Sequence, residues 1–384
     1  MNKNIKNILS IAMITMLMVS TIPFPVFADI EQESSETVYS EDFFQINTKF
    51  GYPIGVHILS PSNMNSKKLM VLVSGTGLDF KTNFFTPEDQ NLALFYIQQG
   101  YTVVGIDNAE TLIDFDPATD YAFMDNWGID SHVANTKTAV KFAQKQTGIK
   151  DYEITGHSLG SIVALLYSEK YNDDERLKAI YLLEIGQFNP ETEAERIQMA
   201  IESSIAAENA IEAGSYVDFE LLGFAQITLN AIIFPTGDSK IPSPYGGNFT
   251  NEEFVYFAAI YTNMLPGNWQ FNQGLFAGNL FSGLYYTSSD VLYQVGLNGG
   301  IYPMAIERDL YLWLAGKYKI NFKSVKVPVV IVNAEGGLGN KGEYIFNKLK
   351  SAGNEDVQYI LVPGGHADII YGGEYAQEIW KCLK

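Results

Sequence analysis

Cysteine is nearly missing: Cys382 is the only one in 384 residues. That excludes an internal disulfide framework and a cysteine-based zinc cluster. Four histidines leave little room for a histidine metal site. Basic residues are outnumbered, 25 Lys and Arg against 44 Asp and Glu, for a net charge of −19. So acidic a chain lacks the basic face that phosphate backbones require, and anionic lipid headgroups offer it nothing. Beyond the N-terminus no apolar run is long enough to cross a bilayer. What remains is a globular balance, 47% hydrophobic and 18% charged. The length suggests two domains, or one large domain with an insertion.

The N-terminus reads as a processing signal. Lys3 and Lys6 form a basic start, Ile8 to Val19 is mostly apolar, and Pro23 and Pro25 break any helix. Val26-Phe27-Ala28 has small residues where a signal peptidase reads, so cleavage is expected after Ala28. Ser10, Thr15 and Ser20 make the stretch a weak membrane span. The expectation is a signal peptide over 1–28, a Glu- and Ser-rich flexible leader over 29–41, and an exported, soluble chain.

Next comes an alternation of strands and helices. Residues 42–49 and 53–59 pattern as two strands about Gly51. Leu69 to Val73 and Thr102 to Ile106 are apolar runs suited to strands buried on both faces. Residues 86–98 can form a helix, and 131–147 has helical spacing. Tyr152 to Thr155 is a strand followed by a helix over 159–170, and Lys178 to Leu183 is a strand. The alternation resumes with a strand at 327–332, a helix at 341–351, a strand at 358–362 and a closing helix at 372–383. Such a pattern predicts an α/β fold with a mostly parallel sheet between helices. The core is expected over 42–185 and 325–384. Residues 186–324 differ: 23 of these 139 residues are aromatic, with helical patterns at 191–213, 216–233, 251–263 and 304–318. They are expected to form a helical cap over the strands' C-terminal edge.

Gly156-His157-Ser158-Leu159-Gly160 is the strongest chemical signal. It fits the nucleophile elbow G-x-S-x-G, with a strand before it and a helix after it. Glycines two residues either side of Ser158 let the strained turn close. His366, directly after the last strand, is the candidate base. A serine hydroxyl needs one, and an imidazole with an ordinary pKa of about 6.5 suits the task. The other histidines are read as structural: His57 within an early strand, His132 as a surface or capping residue, His157 packed on the core. An acid should orient the imidazole. Glu335 is the first candidate, 31 residues before His366, with room between for one helix and one strand. Glu184, which ends the strand after the nucleophile helix, is the alternative. Asp368 is too near His366 in sequence to orient it and reads as a loop brace. An oxyanion hole needs two N–H groups. Leu159 is expected to supply one, and Thr76, with Gly75 second, the other, from the loop Ser74-Gly75-Thr76-Gly77. Asp107, Asp114, Asp116 and Asp120 lack a calcium-loop pattern and read as a solvated loop. There is no phosphate-binding or dinucleotide fingerprint.

Ser74-Gly75-Thr76-Gly77, the elbow at Ser158 and Gly365-His366 together resemble the α/β-hydrolase superfamily. The resemblance covers roughly 42–185 and 325–384, with the insertion where caps of that superfamily sit. Gly364 to Ile369 is similar to the end of acid-lipase-like members. Two positions depart from the pattern. Ser74 stands where a histidine is usual, and Gly336 and Gly337 stand near the usual place of the acid. Some lipases of the superfamily take the acid from the strand that here ends in Glu184. The resemblance implies an exported serine hydrolase acting on carboxylic esters with an apolar, lipid-like acyl group, without metal or cofactor. Its partner would be a small-molecule or lipid-like ester, not nucleic acid. An acyltransferase, a capped serine peptidase or a binding protein on the same fold are the alternatives.

Overall fold

A computed structural model describes residues 38–62, 64, 66–243, 246–261, 269–277 and 280–383, without the side chains of 275–282. The expected signal peptide and most of the expected leader lie outside the described residues. The first strand, β1 (Tyr39–Asn47), starts earlier than expected, so the last part of the assigned leader is strand. It pairs antiparallel with β2 (Pro53–Pro61), which pairs antiparallel with β4 (Thr102–Asp107).

The remaining pairings of the main sheet are parallel. They join β3 (Leu69–Val73), β4, β5 (Tyr152–His157), β6 (Leu177–Leu183), β13 (Val329–Ala334) and β14 (Val357–Val362). The eight strands run in the order β1-β2-β4-β3-β5-β6-β13-β14. Every residue of β3, β4 and β5 is buried, which is why these segments read as apolar runs. Alternate residues serve opposite faces. Leu69, Val71 and Val73 pack with residues of α3 (Ile129–Thr147) and α4 (Leu159–Lys170). Met70 and Leu72 pack on the other side with α1 (Phe80–Phe84), α2 (Leu92–Gln98) and the C-terminal Trp380. The helix expected over 86–98 forms only from Leu92 onward, as α2, and α1 ahead of it was not expected. Asp79 and Asn91 cap them separately, accepting from Thr82 N–H and Leu94 N–H.

The chain leaves β3 for β4 on one side, then crosses back to β5 on the other. The strand order thus reverses beside β3, and the loops after β3 and β5 flank one crevice at the strands' C-terminal ends. Open α/β sheets bind ligands at such a point.

Among its described residues, the inserted stretch contributes five helices: α5 (Ala194–Glu212), α6 (Glu220–Ile233), α7 (Asn251–Ile260), α8 (Ser289–Leu297) and α9 (Met304–Leu314). It is less purely helical than the pattern predicted. Three two-stranded ribbons join it: β7 (Val217–Asp218) with β12 (Tyr302–Pro303), β8 (Asp238–Pro242) with β9 (Asn248–Thr250), and β10 (Gly274–Ala277) with β11 (Leu280–Leu284). Phe254, Val255, Tyr256 and Phe257 form the insertion's own core with Ile227, Phe249 and Leu292. Three further helices complete the core region: α10 (Lys341–Ser351), α11 (Asp368–Tyr371) and α12 (Glu374–Trp380). Among the described residues, no helix is long and apolar enough to cross a membrane.

His57 is structural, as its strand position implied. Its Nδ1 lies 2.7 Å from Glu41 Oε1 on β1, and its Nε2 lies 2.9 Å from Asp107 Oδ2 at the end of β4. Burial pushes the imidazole pKa down, but Asp107 and then Glu41 outweigh it, and the net shift is upward. A raised histidine stabilises the fold fully below its unfolded value of about 6.5 and loses that contribution as pH rises through the folded value. The Tm deficit of His57→Gln should therefore be larger near pH 6 than near pH 9, measured by thermal unfolding; a pH-independent deficit would contradict the charged pairing.

Candidate active site

Ser158 sits at the turn from β5 into α4, with φ 56° and ψ −119°. A non-glycine residue in this region is strained, and the surroundings must hold it there. Close packing does so. A Cβ on Gly156 would stand 2.1 Å from Gly160 O, and one on Gly160 would stand 1.9 Å from Val73 O. Only glycines allow α4 to rest against β3 and β5 this closely. The Ser158 N–H donates to Leu183 O at 2.9 Å, and Ser161 Oγ spans Gly156 O and Leu183 O at 2.7 Å each.

His366 follows β14 and is buried. Its Nδ1 is 2.8 Å from Glu184 Oε2. Glu184 therefore faces the imidazole, and Glu335, the residue first expected there, is exposed at the end of β13. The physical reason is local. Glu184 extends from the end of β6 across to its parallel neighbour β13, where its carboxylate accepts from Ala334 N–H and from Leu338 N–H (2.7 Å). Gly337 leaves room for this side chain: a Cβ there would meet Glu184 Oε2 at 2.2 Å. The glycines that looked like a missing acid are the space the glutamate from the next strand occupies. Glu184 itself has φ 62° and is wholly buried. It and Ser158 are two of the three described non-glycine residues at positive φ, and both are in the site.

A segment of the insertion braces His366. Gln270 N–H donates to Gly336 O (2.7 Å), His366 N–H to Gln270 O (2.8 Å), and Ala367 N–H to Phe271 O (2.7 Å). Trp269 stands edge-on to the imidazole, 4.7 Å between centroids. Asp368, expected as a loop brace, is wholly buried and accepts four hydrogen bonds. They come from Gly365 N–H (2.8 Å), Gln273 N–H (2.7 Å), Asn272 Nδ2 (3.0 Å) and Thr287 Oγ1 (2.6 Å).

The loop after β3 presents a narrower choice of oxyanion donors than the sequence did. Gly75 N–H already donates to Asn83 Oδ1 at 2.7 Å, so Gly75 is not a free donor. Thr76 N–H has no partner among the described residues and Thr76 lines the cavity. Leu159 is the first residue of α4, where N–H groups lack helical acceptors. Asn83, which no sequence signal singled out, also lies 3.1 Å from His157 Nδ1, and His157 Nε2 lies 3.2 Å from His366 O. Because a carbonyl only accepts, this chain fixes His157 with its proton on Nε2. Burial, with His366 nearby, pushes the His157 pKa well down and keeps the ring neutral. His132 departs from the expected surface role: it is buried, with Nε2 2.8 Å from Glu110 Oε1. Among the described residues, no three His, Cys, Asp or Glu side chains are grouped to hold a metal ion, the acidic loop at 107–120 included.

Ser158, Thr76, Glu184 and His366 line one cavity of about 120 Å³ beneath the insertion. Its other walls are mostly apolar, with Leu221, Phe224, Leu310 and Leu314 among them. Two carboxyl groups, which the sequence reading did not pick out, are exceptions. Burial and Asp218 raise Glu220 to about 7; burial, Asp218 and Glu220 raise Glu307 to about 9.

A family model described as the alpha/beta hydrolase fold matches residues 71–252. Among solved structures, a provisionally assigned lipase of Sulfolobus solfataricus superposes with a TM-score of 0.59 at 18% identity, covering 90% of this chain and 94% of that one. The proline iminopeptidase of Mycobacterium smegmatis gives 0.48 at 13% identity over 89% and 96%. The epoxide hydrolase of Vigna radiata gives 0.48 at 14% over 91% and 98%. No curated protein sequence matches. The family match and the superposition on the Sulfolobus structure show that the chain has the α/β-hydrolase fold.

Two outcomes follow from this packing. Gly337→Ala should cost about 1–3 kcal/mol in chemical denaturation, because the added methyl must displace the Glu184 carboxylate. A raised carboxyl stabilises the fold fully below its unfolded value and loses that contribution as pH rises through the folded one. Glu307→Gln, which mimics the protonated acid, should therefore gain Tm relative to the wild type between pH 4.5 and about 9. A constant Tm difference across that window would contradict the shift.

Proposed function

We propose that this chain is an exported serine hydrolase that cleaves carboxylic esters with an apolar acyl part. The observation that carries the reading is the Glu184–His366 pair facing the same cavity as the strained Ser158. Export rests on the sequence of residues 1–28 alone.

In the proposed reaction His366 Nε2 takes the proton of Ser158 Oγ as the oxygen bonds to the ester carbonyl carbon. Glu184 holds Nδ1–H in place, fixing the tautomer and stabilising the imidazolium that forms. The amides of Thr76 and Leu159 receive the developing oxyanion. The C–O bond to the alcohol then breaks, and His366 returns the proton to the leaving oxygen. Water repeats the sequence on the acyl-enzyme: His366 accepts its proton, the water oxygen bonds to the acyl carbon, and Ser158 Oγ leaves with the proton. The apolar cavity walls favour an apolar acyl group and keep bulk water from the charges formed.

The test is release of p-nitrophenol from acyl esters of graded chain length. Ser158→Ala should lower kcat by about 10³-fold or more, and Glu184→Gln by about 10²- to 10⁴-fold. Glu335→Gln should stay within about twofold of the wild type, as an exposed side chain does. Loss in Glu335→Gln with retention in Glu184→Gln would overturn the assignment of the acid. A folded wild type that hydrolyses no ester would overturn the esterase reading.

A further inference from the structure

Glu220 and Glu307 line the cavity that holds Ser158, and the reaction above does not use them. Glu220 opens α6; Glu307 lies on α9; Asp218 of β7 stands beside both, accepting from the Glu220 N–H at 2.7 Å. Among the described residues, no Lys or Arg lines this cavity. Arg308, next to Glu307 in sequence, pairs instead with Glu208 and Asp309, each at 2.9 Å. Glu307 is hydrogen-bonded to Asp218 and Tyr311, although its Oε2 is buried without a partner, and the half-buried Glu220 carboxyl has no side-chain hydrogen bond among the described residues. Crowded carboxyl groups with no cation beside them cost stability, so their place on the wall of this cavity favours a cationic ligand. An anionic ligand would be repelled there. A hard divalent cation would need six or more oxygen ligands, against these mostly apolar walls. Phe224, Trp269, Tyr302 and Tyr311 present rings to the same cavity, and aromatic faces attract ammonium groups.

We infer that the cavity takes a substrate carrying a protonated amine, seated against Glu220 and Glu307 while its carbonyl meets Ser158. The inference rests on the proposed esterase reading for the carbonyl and on the cap carboxylates for the amine. A cation seated between these carboxyl groups would offset their mutual repulsion and favour their ionised form.

The first measurement is binding without turnover. Ser158→Ala protein is titrated with hexylammonium and, separately, with 1-hexanol, and thermal shift is read. Hexylammonium should stabilise at about tenfold or lower concentration than hexanol, and adding Glu220→Gln should remove that difference. The second measurement compares wild-type kcat/KM for the p-nitrophenyl esters of 6-aminohexanoic and heptanoic acid, in which NH3⁺ replaces CH3. The amino ester should be favoured about tenfold, and the ratio should fall toward one in Glu220→Gln and in Glu307→Gln. Equal effects of ammonium and alcohol, or an unchanged preference in both variants, would overturn the inference while Ser158-dependent hydrolysis of the heptanoate stands. If neither ester is turned over but hexylammonium binds in a Glu220-dependent way, the amine site stands and the esterase reading falls.

Discussion

The Glu184 carboxylate is wholly buried, and it holds together the C-terminal edge of the sheet. It reaches from β6 to β13, accepts the Ala334 and Leu338 amides there, and meets the imidazole delivered by the loop after β14. A buried charge survives only when such donors surround it. The demand propagates outward. Glu184 must adopt positive φ to turn its side chain across the sheet. Gly337 must lack a Cβ to admit it. The parallel register of β6 with β13, Leu183 beside Val332, sets the reach.

A second buried carboxylate ties the site to its cover. Asp368 accepts from the His366 loop through Gly365, and from the insertion through Gln273, Asn272 and Thr287. Gly365 packs flat against residues 271–273, where a Cβ would come within 2.8 Å. The imidazole, its loop and the insertion segment beside it therefore form one hydrogen-bonded unit. The orientation of His366 depends on the insertion as much as on the core, and the cavity wall is built into the same framework as the proposed base. This is how a long insertion contributes to a site whose reactive residues all belong to the core.

The sheet strands were legible because burial on both faces demands continuous apolar runs. Leu69 to Val73 and Lys178 to Leu183 could be little else. Four of the five helices described in the insertion were legible too, Thr250 and Glu253 even forming a capping box before α7, whereas the nine-residue α8 among glycine-rich loops was not. Its short ribbons were not, since strands of two to five residues carry too little pattern to separate from glycine-rich loop. The start of α2 was misplaced because the cap at Asn91 sets it rather than the apolar periodicity, and the five-residue α1 carries too little pattern to read.

The sequence by itself determined the chemistry-bearing turns, because their constraints are local. The elbow at Ser158 needs its glycines within two residues, and His366 needs only a loop after a strand. The tertiary structure decided between Glu335 and Glu184, whose spacings both fitted. Which carboxylate reaches an imidazole depends on strand order and on the space beside Gly337, and neither is written in residues near the acid. It also decided which amides of the loop after β3 are free, since Asn83 claims that of Gly75. Glu220 and Glu307, 87 residues apart, met at one cavity for the same reason. Distances along the chain carry no information about which side chains the packing of an insertion onto a sheet will bring together.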